Sequence, residues 1–570
     1  MQLQTIDFFV IATYLIFSLL VGFYFTKKAS SSLEDFFLSH RSQPWWLIGV
    51  SMAATNFAID TPLATSKFIA QNGLAGAWFY WSSGISAVAA TFLFSKLWRR
   101  AEVMTDNELI ELRYSGKPAS FLRFFKGVYF GIFINCFVLG WVFNALTKVA
   151  SIVTPWDSQI ILLFFGGIAL IYTISSGFYG VILTDLIQYI FALSGSFILA
   201  YLSIKEVGGL SALTTKISAL YPSRGFLDVF PSVNSEDALI PPLAMFTLLF
   251  VKWWAHKYSD GGGKHIQRMS AAKNEKHATF GTFFYAFMAN MVTLWPWIIV
   301  AICGVILFPD NPDPETNYPK MMLKVLPPGL LGLCVMGLIG AFMSTVDTHL
   351  NLGANYFVND IYKRFFVKEK SQKHYILISR LSIIGIMLIA ILLSLQIKSV
   401  ASAWLFILTF ASGAGLVWIL RWFWWRINAY SEISAMLTSA IVASYLKIQF
   451  PNLPFSESIL IVVGISTPVF LIVTFLTRPT HLEKRISFFN RVAPLSFGWK
   501  KGVPQFNFEK NKIKSHDIQN FLLGIFLLFL GNISVAYLLF DNFKLGLLGF
   551  IIFVILMIKL VRNIYKEEVI

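Results

Sequence analysis

Fifteen apolar stretches of about 19 residues or more dominate this chain, beginning near positions 5, 45, 79, 124, 158, 178, 238, 278, 328, 375, 400, 430, 456, 519 and 543. A helix of that length crosses a bilayer core of about 30 Å. Hydrocarbon offers peptide groups no water, so each segment must satisfy its own backbone hydrogen bonds, and the chain folds as a bundle of helices. The longest connectors, 478–517 and 205–237, are too short for a kinase, nucleotide-binding or sensor domain. Only 13% of the 570 residues are charged and 56% are apolar. Soluble proteins carry about 25% charge, so a soluble enzyme, a disordered protein and a disulfide-rich secreted module are excluded. Cys136, Cys303 and Cys334 lie far apart in apolar runs, with neither a disulfide framework nor metal spacing. The first stretch, Ile6 to Phe25, meets Lys27 and Lys28 without a small-residue cleavage pattern and reads as a retained helix.

The net charge of +16 is a topological signal. When successive connectors alternate sides, about 32 of the 46 Lys and Arg fall on one side and about 8 on the other. Basic residues concentrate inside, which puts the N-terminus outside and the C-terminus in the cytoplasm. The rich side holds Arg99, Arg100, Arg113, Lys117 and Arg123, then Lys363 to Lys373, then the loop from Arg478 to Lys514. One-sided juxtamembrane charge of this kind reads as orientation, not as nucleic-acid binding. Pro44, Trp45 and Trp46, and Trp422, Trp424 and Trp425, read as interfacial belts.

An ionisable group in hydrocarbon costs at least about 2.5–3.5 kcal/mol, so the few inside the stretches point to function. They are Asp60, Asp185, Lys252, Asp347 and His349; Lys67 and Lys148 lie where they can snorkel outward. Around Asp60 the run Ser51 to Pro62 is polar and proline-broken. Pro62 lacks an amide hydrogen and is expected to free the carbonyl of Ala58, with Thr55, Asn56, Asp60 and Thr61 stabilising an unwound turn; a simple kink is the alternative. In the ninth stretch Ala341, Ser344 and Thr345 stand at i, i+3 and i+4, so a carbonyl and two hydroxyls face one neighbour. A small hard cation takes oxygen ligands of this kind. Ser344, Asp347 and Thr348 repeat the spacing and add a carboxylate. The alternative is that these hydroxyls bond back to their own helix.

On these residues the chain resembles the sodium:solute symporter family. The likeness rests on the Asn56-containing break, Thr184-Asp185 followed by Ile187-Gln188, Gln267-Arg268 with Ala271-Ala272-Lys273, and Ser344-Thr345 followed by Asp360-Ile361-Tyr362-Lys363. It implies an all-α polytopic membrane protein of LeuT type, with a 5+5 inverted-repeat core in which each repeat opens with a discontinuous helix. On this chain it implies one transporter domain: an extra helix at 5–26, a first repeat at 44–205, a second at 238–420 and four peripheral helices at 428–566. No internal repeat is visible in the sequence, so the symmetry rests on the resemblance alone. The resemblance further implies a main sodium site of Ala54, Phe57, Ala341, Ser344 and Thr345, with sodium the transported coupling ion and no organic cofactor. Two-sodium members add an ion between Asp185 and the group Ser344, Asp347 and Thr348. Here Asp347 stands where a small or hydroxylated residue is usual. Two close carboxylates in low dielectric cannot both stay charged without a cation or proton between them. That leaves a second sodium, or a shared proton and a proton-coupled symporter of the same fold.

Solute contacts are expected from Asn56 and Asp60, from Trp78, Tyr80 and Trp81, from Asn135 and Asn144, and from Lys252, Trp253 and Trp254. Aromatic faces with amides suit a sugar; Lys252 suits a carboxylate or pairs with Asp60. The run Asp260-Gly-Gly-Gly-Lys264 is an insertion relative to better-known relatives, so the solute stays open among sugar, sugar acid, amino acid and carboxylate. The expected partners are that solute and the bilayer of the cell (inner) membrane, with no nucleic acid and no obligate protein partner. An enzyme is disfavoured: the eight histidines are scattered, His-Glu-x-x-His is absent, and Gly261 to Lys264 lacks phosphate-loop spacing.

Overall fold

The structure, a computed structural model, describes residues 3–29, 41–222, 225–231, 240–494, 496–504 and 515–566. The expected start of the seventh stretch at 238 and the basic residues of 505–514 lie outside these. The described parts of the apolar stretches lie largely on helices, with the seventh helical only over Pro242–Val251 before it opens into turns. The helices of the first half are α1 (Thr5–Ala29), the pair α2 (Trp45–Asn56) and α3 (Asp60–Asn72), α4 (Trp78–Ala89), α5 (Gly116–Val153), α6 (Ser158–Ser175) and α7 (Ile182–Glu206). The second half has α8 (Pro242–Val251) with α9 (Lys264–Ala271), α10 (Glu275–Leu307), α11 (Leu330–Phe366), α12 (Gln372–Ser394) and the pair α13 (Val400–Ser412) and α14 (Gly415–Phe423), bent by 45°. Four more follow: α15 (Ala429–Gln449), α16 (Phe455–Leu476), α17 (Ser515–Phe540) and α18 (Phe543–Lys566). Among the described residues nine helices are long and apolar enough to cross a membrane alone, ten with the bent pair; α1 and α8 have only shorter apolar cores.

Backbone helix runs unbroken from Ser158 to Glu206, where the sequence suggests two crossings. Yet the Tyr172 hydroxyl stands 2.6 Å from Thr184 Oγ1. Twelve residues of straight helix rise about 18 Å, more than these side chains can bridge. The helix is therefore bent between Tyr172 and Thr184, and α6 and α7 are its two apolar halves.

Small residues let α7 lie close along α11 in antiparallel register. A Cβ on Gly337 would meet Ala192 Cα at 2.8 Å, one on Gly340 would meet Gln188 Cγ at 3.1 Å, and one on Gly195 would meet Cys334 Cα at 3.4 Å. The next rung is polar: Ser344 Oγ donates to Asp185 Oδ1 at 2.5 Å. At the other end of α11, buried Asp7 of α1 accepts from the N–H groups of Gly329 and Gly332, both at 2.7 Å. It thereby satisfies two of the helix's unpaired donors and places a negative charge at its positive end.

One end of the bundle gathers charge from several connectors. Arg123 bridges Asp360 at 2.7 Å and Glu111 at 2.8 Å, Arg364 reaches Glu111 at 2.9 Å, and Arg100 pairs with Glu275 at 2.8 Å. Partial burial pushes the Glu111 carboxyl up, but the Arg364 and Arg123 guanidiniums outweigh this and hold it at about 2, below the usual 4.5. A depressed folded value means that the contribution is whole above about pH 4.5 and is lost as pH falls towards 2. Thermal unfolding scanned from about pH 5 down to about pH 3 should therefore show a steeper loss in the parent than in Glu111→Gln. Equal slopes would assign the acid sensitivity elsewhere.

Candidate functional site

The first site element is the gap between α2 and α3. Phe57 leaves helical geometry (φ −80°, ψ 77°), and its N–H is shared between Ala53 O at 2.9 Å and Ala54 O at 3.0 Å. The helix restarts at Asp60. Pro62 is therefore not at the rupture but in the first turn of α3, where an N–H has no helical partner and its absence costs little. Ala58 O, expected to be free, accepts from Thr61 N–H at 3.1 Å. The break spans 57–59, so the carbonyls it exposes lie nearer Ala54 and Phe57 than the proline suggests.

The second element is a longer gap between α8 and α9, in which residues 252–263 run as turns. Gly261 (φ +76°) and Gly263 (φ +66°) adopt left-handed backbone, and a Cβ on Gly263 would meet the Tyr258 ring at 2.0 Å. The gap is tied at several points. Lys252 Nζ donates to Phe79 O, to Ser83 Oγ at 2.7 Å and to Ser82 Oγ at 3.2 Å. Ser259 Oγ donates to Gly415 O at 2.8 Å. Asp260 Oδ2 accepts from Arg421 Nη2 at 2.5 Å and Trp422 Nε1 at 2.8 Å, while its carbonyl accepts from Trp98 Nε1 at 2.7 Å.

Between these gaps, α4, α5, α10 and α11 enclose a cavity of about 230 Å³. Asn56, Asp60 and Thr345 line it, with Thr55, Ala58 and Tyr80. The other expected solute contacts are placed outside its wall. Trp78 donates to Val229 O at 2.7 Å and packs on Trp81 at 5.3 Å, and Trp81 packs in turn on Trp295. Asn135 is used up in a reciprocal pair with His349, both contacts at 2.6 Å, and Asn144 donates to Ile397 O. Trp253 faces Phe521 of α17, and Trp254 donates to Phe250 O. Lys252 is held by α4 and lies 5.8 Å over the Trp404 ring, not in an ion pair with Asp60. On α4 the cavity-facing stripe is instead Tyr80, Ser83 and Ala87, one to two positions round from the tryptophans. The sequence reading missed His256 and Lys257 of the second gap and Lys264 and His265 at the start of α9, which line the cavity. The glycine-rich insertion is the signal that marks them.

The oxygen donors of α11 combine both readings. Thr345 Oγ1 donates back to Ala341 O at 2.9 Å, whereas Ser344 donates across to Asp185. A hydroxyl that gives its proton away keeps lone pairs for a cation, and a carbonyl has a second lone pair, so this set suits a small hard ion. Asp185 Oδ2 accepts from Ser51 Oγ at 2.6 Å and lies 3.4 Å from Arg268 Nη2. Arg268 also donates to Ser51 Oγ at 2.9 Å, Thr348 Oγ1 at 3.0 Å and Lys264 O at 3.1 Å. A resident guanidinium thus stands among Asp185, Ser344 and Thr348, the group expected to hold a second ion or a proton. Asp347 is fully buried; Oδ1 accepts from Asn351 Nδ2 at 2.9 Å, and Oδ2 has no hydrogen-bond partner.

A sequence model described as the sodium:solute symporter family matches residues 36–439, more than half of the chain. The chain belongs to the sodium:solute symporter family. It is similar to a sodium/glucose cotransporter of Vibrio parahaemolyticus, 26% identical over 80% of this chain and 88% of the relative. It is also similar to a sodium/mannose cotransporter of Bos taurus, 24% identical over 79% and 80%. Among solved structures, a Na+-coupled sialic acid symporter in a substrate-bound outward-open state superposes with a TM-score of 0.69 at 19% identity, covering 84% of this chain and 99% of that one. A nucleobase-cation-symport-1 family transporter gives 0.52 at 13%, covering 80% and 97%. The fold of this symporter is therefore of LeuT type, and the chain is a multi-pass membrane protein of a transporter family.

Proposed function

We propose that this symporter couples sodium entry to import of a small polar organic solute, holding the ion on Ala54, Phe57, Ala341, Ser344 and Thr345 and the solute in the cavity beside it. The observation that carries this reading is that the α2–α3 break, through Thr55, Asn56 and Ala58, and Thr345 of α11 line the same cavity. Sodium bridging the break and α11 stabilises the outward-open form that accepts solute; closure over both, then inward opening, completes the step. An inward potential of about 100 mV adds about 2.3 kcal/mol per sodium. Convergence of Arg100, Arg123 and Arg364 at one end is consistent with a cytoplasmic end and with an extracellular N-terminus in the cell membrane.

Arg268 favours a single coupling ion. A guanidinium hydrogen-bonded around Asp185 already supplies the positive charge that a second sodium or a shared proton would bring. Purified protein should be stabilised against heat by sodium but not by potassium, and sodium-driven uptake into proteoliposomes should show a Hill coefficient near one. Equal shifts with both cations would count against the ion site. A coefficient near two would restore a second sodium at Asp185, Ser344, Asp347 and Thr348, and uptake driven by a pH gradient alone would restore proton coupling.

A further inference from the structure

The cavity carries more positive than negative charge. Two ammonium groups line it, Lys257 and Lys264, against one carboxylate, Asp60. Neither lysine has a carboxylate within ion-pair distance among the described residues. Lys264 Nζ donates only to Thr55 O at 3.3 Å. Lys257 Nζ lies over the rings of Tyr258 at 4.8 Å and Trp141 at 5.8 Å. Cation–π contact is worth about 0.5–2 kcal/mol, less than the cost of holding a lysine charge at bilayer depth. Asp60 acts on Lys264, which leaves Lys257 without a counter-charge among the described residues.

A second observation points the same way. His256 Nδ1 stands 3.1 Å from Tyr258 N, and the ring also bonds to the Trp253 backbone, which leaves Nε2. That Nε2 is buried in the cavity wall with no hydrogen-bond partner. The cavity wall thus offers two lysines whose one acceptor among the described residues is the Thr55 carbonyl, and a buried imidazole nitrogen without a partner among them. Burying unanswered donors is costly, and the missing acceptor is negatively charged.

Resting on the cavity as the solute site, we infer that the transported solute is an organic anion whose carboxylate docks between Lys257 and Lys264, with His256 in reach. The body of the molecule lies against the faces of Trp141, Tyr285 and Trp404, with Asn56 and Asn290 for its hydroxyl or amide groups. At about 230 Å³ the cavity is smaller than the ~300–1,000 Å³ of sites for drug-sized ligands. The solute is accordingly a small hydroxylated acid of the sugar-acid kind. Lys257, just before the glycine-rich insertion, and Lys264, at its end, are what separate it from a neutral sugar.

The test uses purified full-length protein in sodium with three matched pairs: D-glucose and D-glucuronate, N-acetylmannosamine and N-acetylneuraminate, glycerol and D-glycerate. Thermal stabilisation and competition should favour the acid in at least one pair, by about tenfold or more in apparent affinity. Lys257→Gln and Lys264→Gln should each lower affinity for that acid about tenfold while leaving sodium stabilisation intact, and Lys257→Arg should retain most of it. Sodium stabilisation with no preference for the acids, or with the neutral sugar preferred, overturns the anion assignment and leaves sodium symport standing. Loss of sodium stabilisation in the parent protein overturns the symport reading instead.

Discussion

Ser344→Ala and Thr345→Ala should each raise the sodium concentration for half-maximal uptake by about 10- to 100-fold, with a smaller change in solute affinity at saturating sodium. The size follows from the loss of one oxygen from an ion held by few, in a site where water is a poor substitute. The two variants should differ. Thr345 Oγ1 bonds within its own helix, to Ala341 O, so its removal takes a ligand and little else. Ser344 also holds Asp185 at 2.5 Å, so its removal loosens the α7–α11 rung and leaves the carboxylate to Ser51 and Arg268. Ser344→Ala should therefore lose thermal stability as well as sodium affinity, and Thr345→Ala chiefly affinity. Sodium titration of uptake, with the solute saturating, checks both. Unchanged half-maximal values would remove these hydroxyls from the ion site.

Asp260→Ala should be among the most destabilising single changes in the chain, by about 3–5 kcal/mol. Its carboxylate is the closest anion to Arg421, whose Nη1 is 3.6 Å from Glu432 Oε1, and Glu432 in turn serves Lys126 at 3.5 Å and the Tyr114 hydroxyl at 2.7 Å. Every member is buried. Removing one partner strands a charge where water cannot reach it, which costs more than the pair contributes on its own. Lys324→Ala is the contrast: it removes a pair at 3.6 Å whose side chains are 53% and 40% exposed, worth under about 1 kcal/mol. Heat-induced aggregation of the two variants in detergent should separate them by several degrees. Similar midpoints would mean that the network relaxes to admit water.

Much of the bundle is legible in the sequence because hydropathy is summed over a whole helix, and nine of the described helices are long and apolar enough to cross a membrane alone. The oxygen donors of α11 are legible for a similar reason, since i, i+3 and i+4 spacing is written within one segment. What escapes is set by partners far apart along the chain. Asp185 and Arg268 are 83 residues apart, and no period links them, so Arg268 reads only as part of a family string. The break before Asp60 is detected but misplaced, because proline marks where a helix can restart as readily as where it stops. Lys252 to Trp254 suggest a binding face from composition; the structure turns them towards α4, α16 and α17, and gives the cavity to the residues that follow.

The anchoring of residues 252–263 has an evolutionary consequence. Lys252, Ser259 and Asp260 fasten the segment near its two ends, while His256 and Lys257 between them line the cavity. If the cavity is the solute site, fold stability and solute choice rest on different side chains of one short loop. On that reading a substitution at 257, whose side chain makes only ring contacts among the described residues, would change what is carried while leaving the ties at 252, 259 and 260 in place.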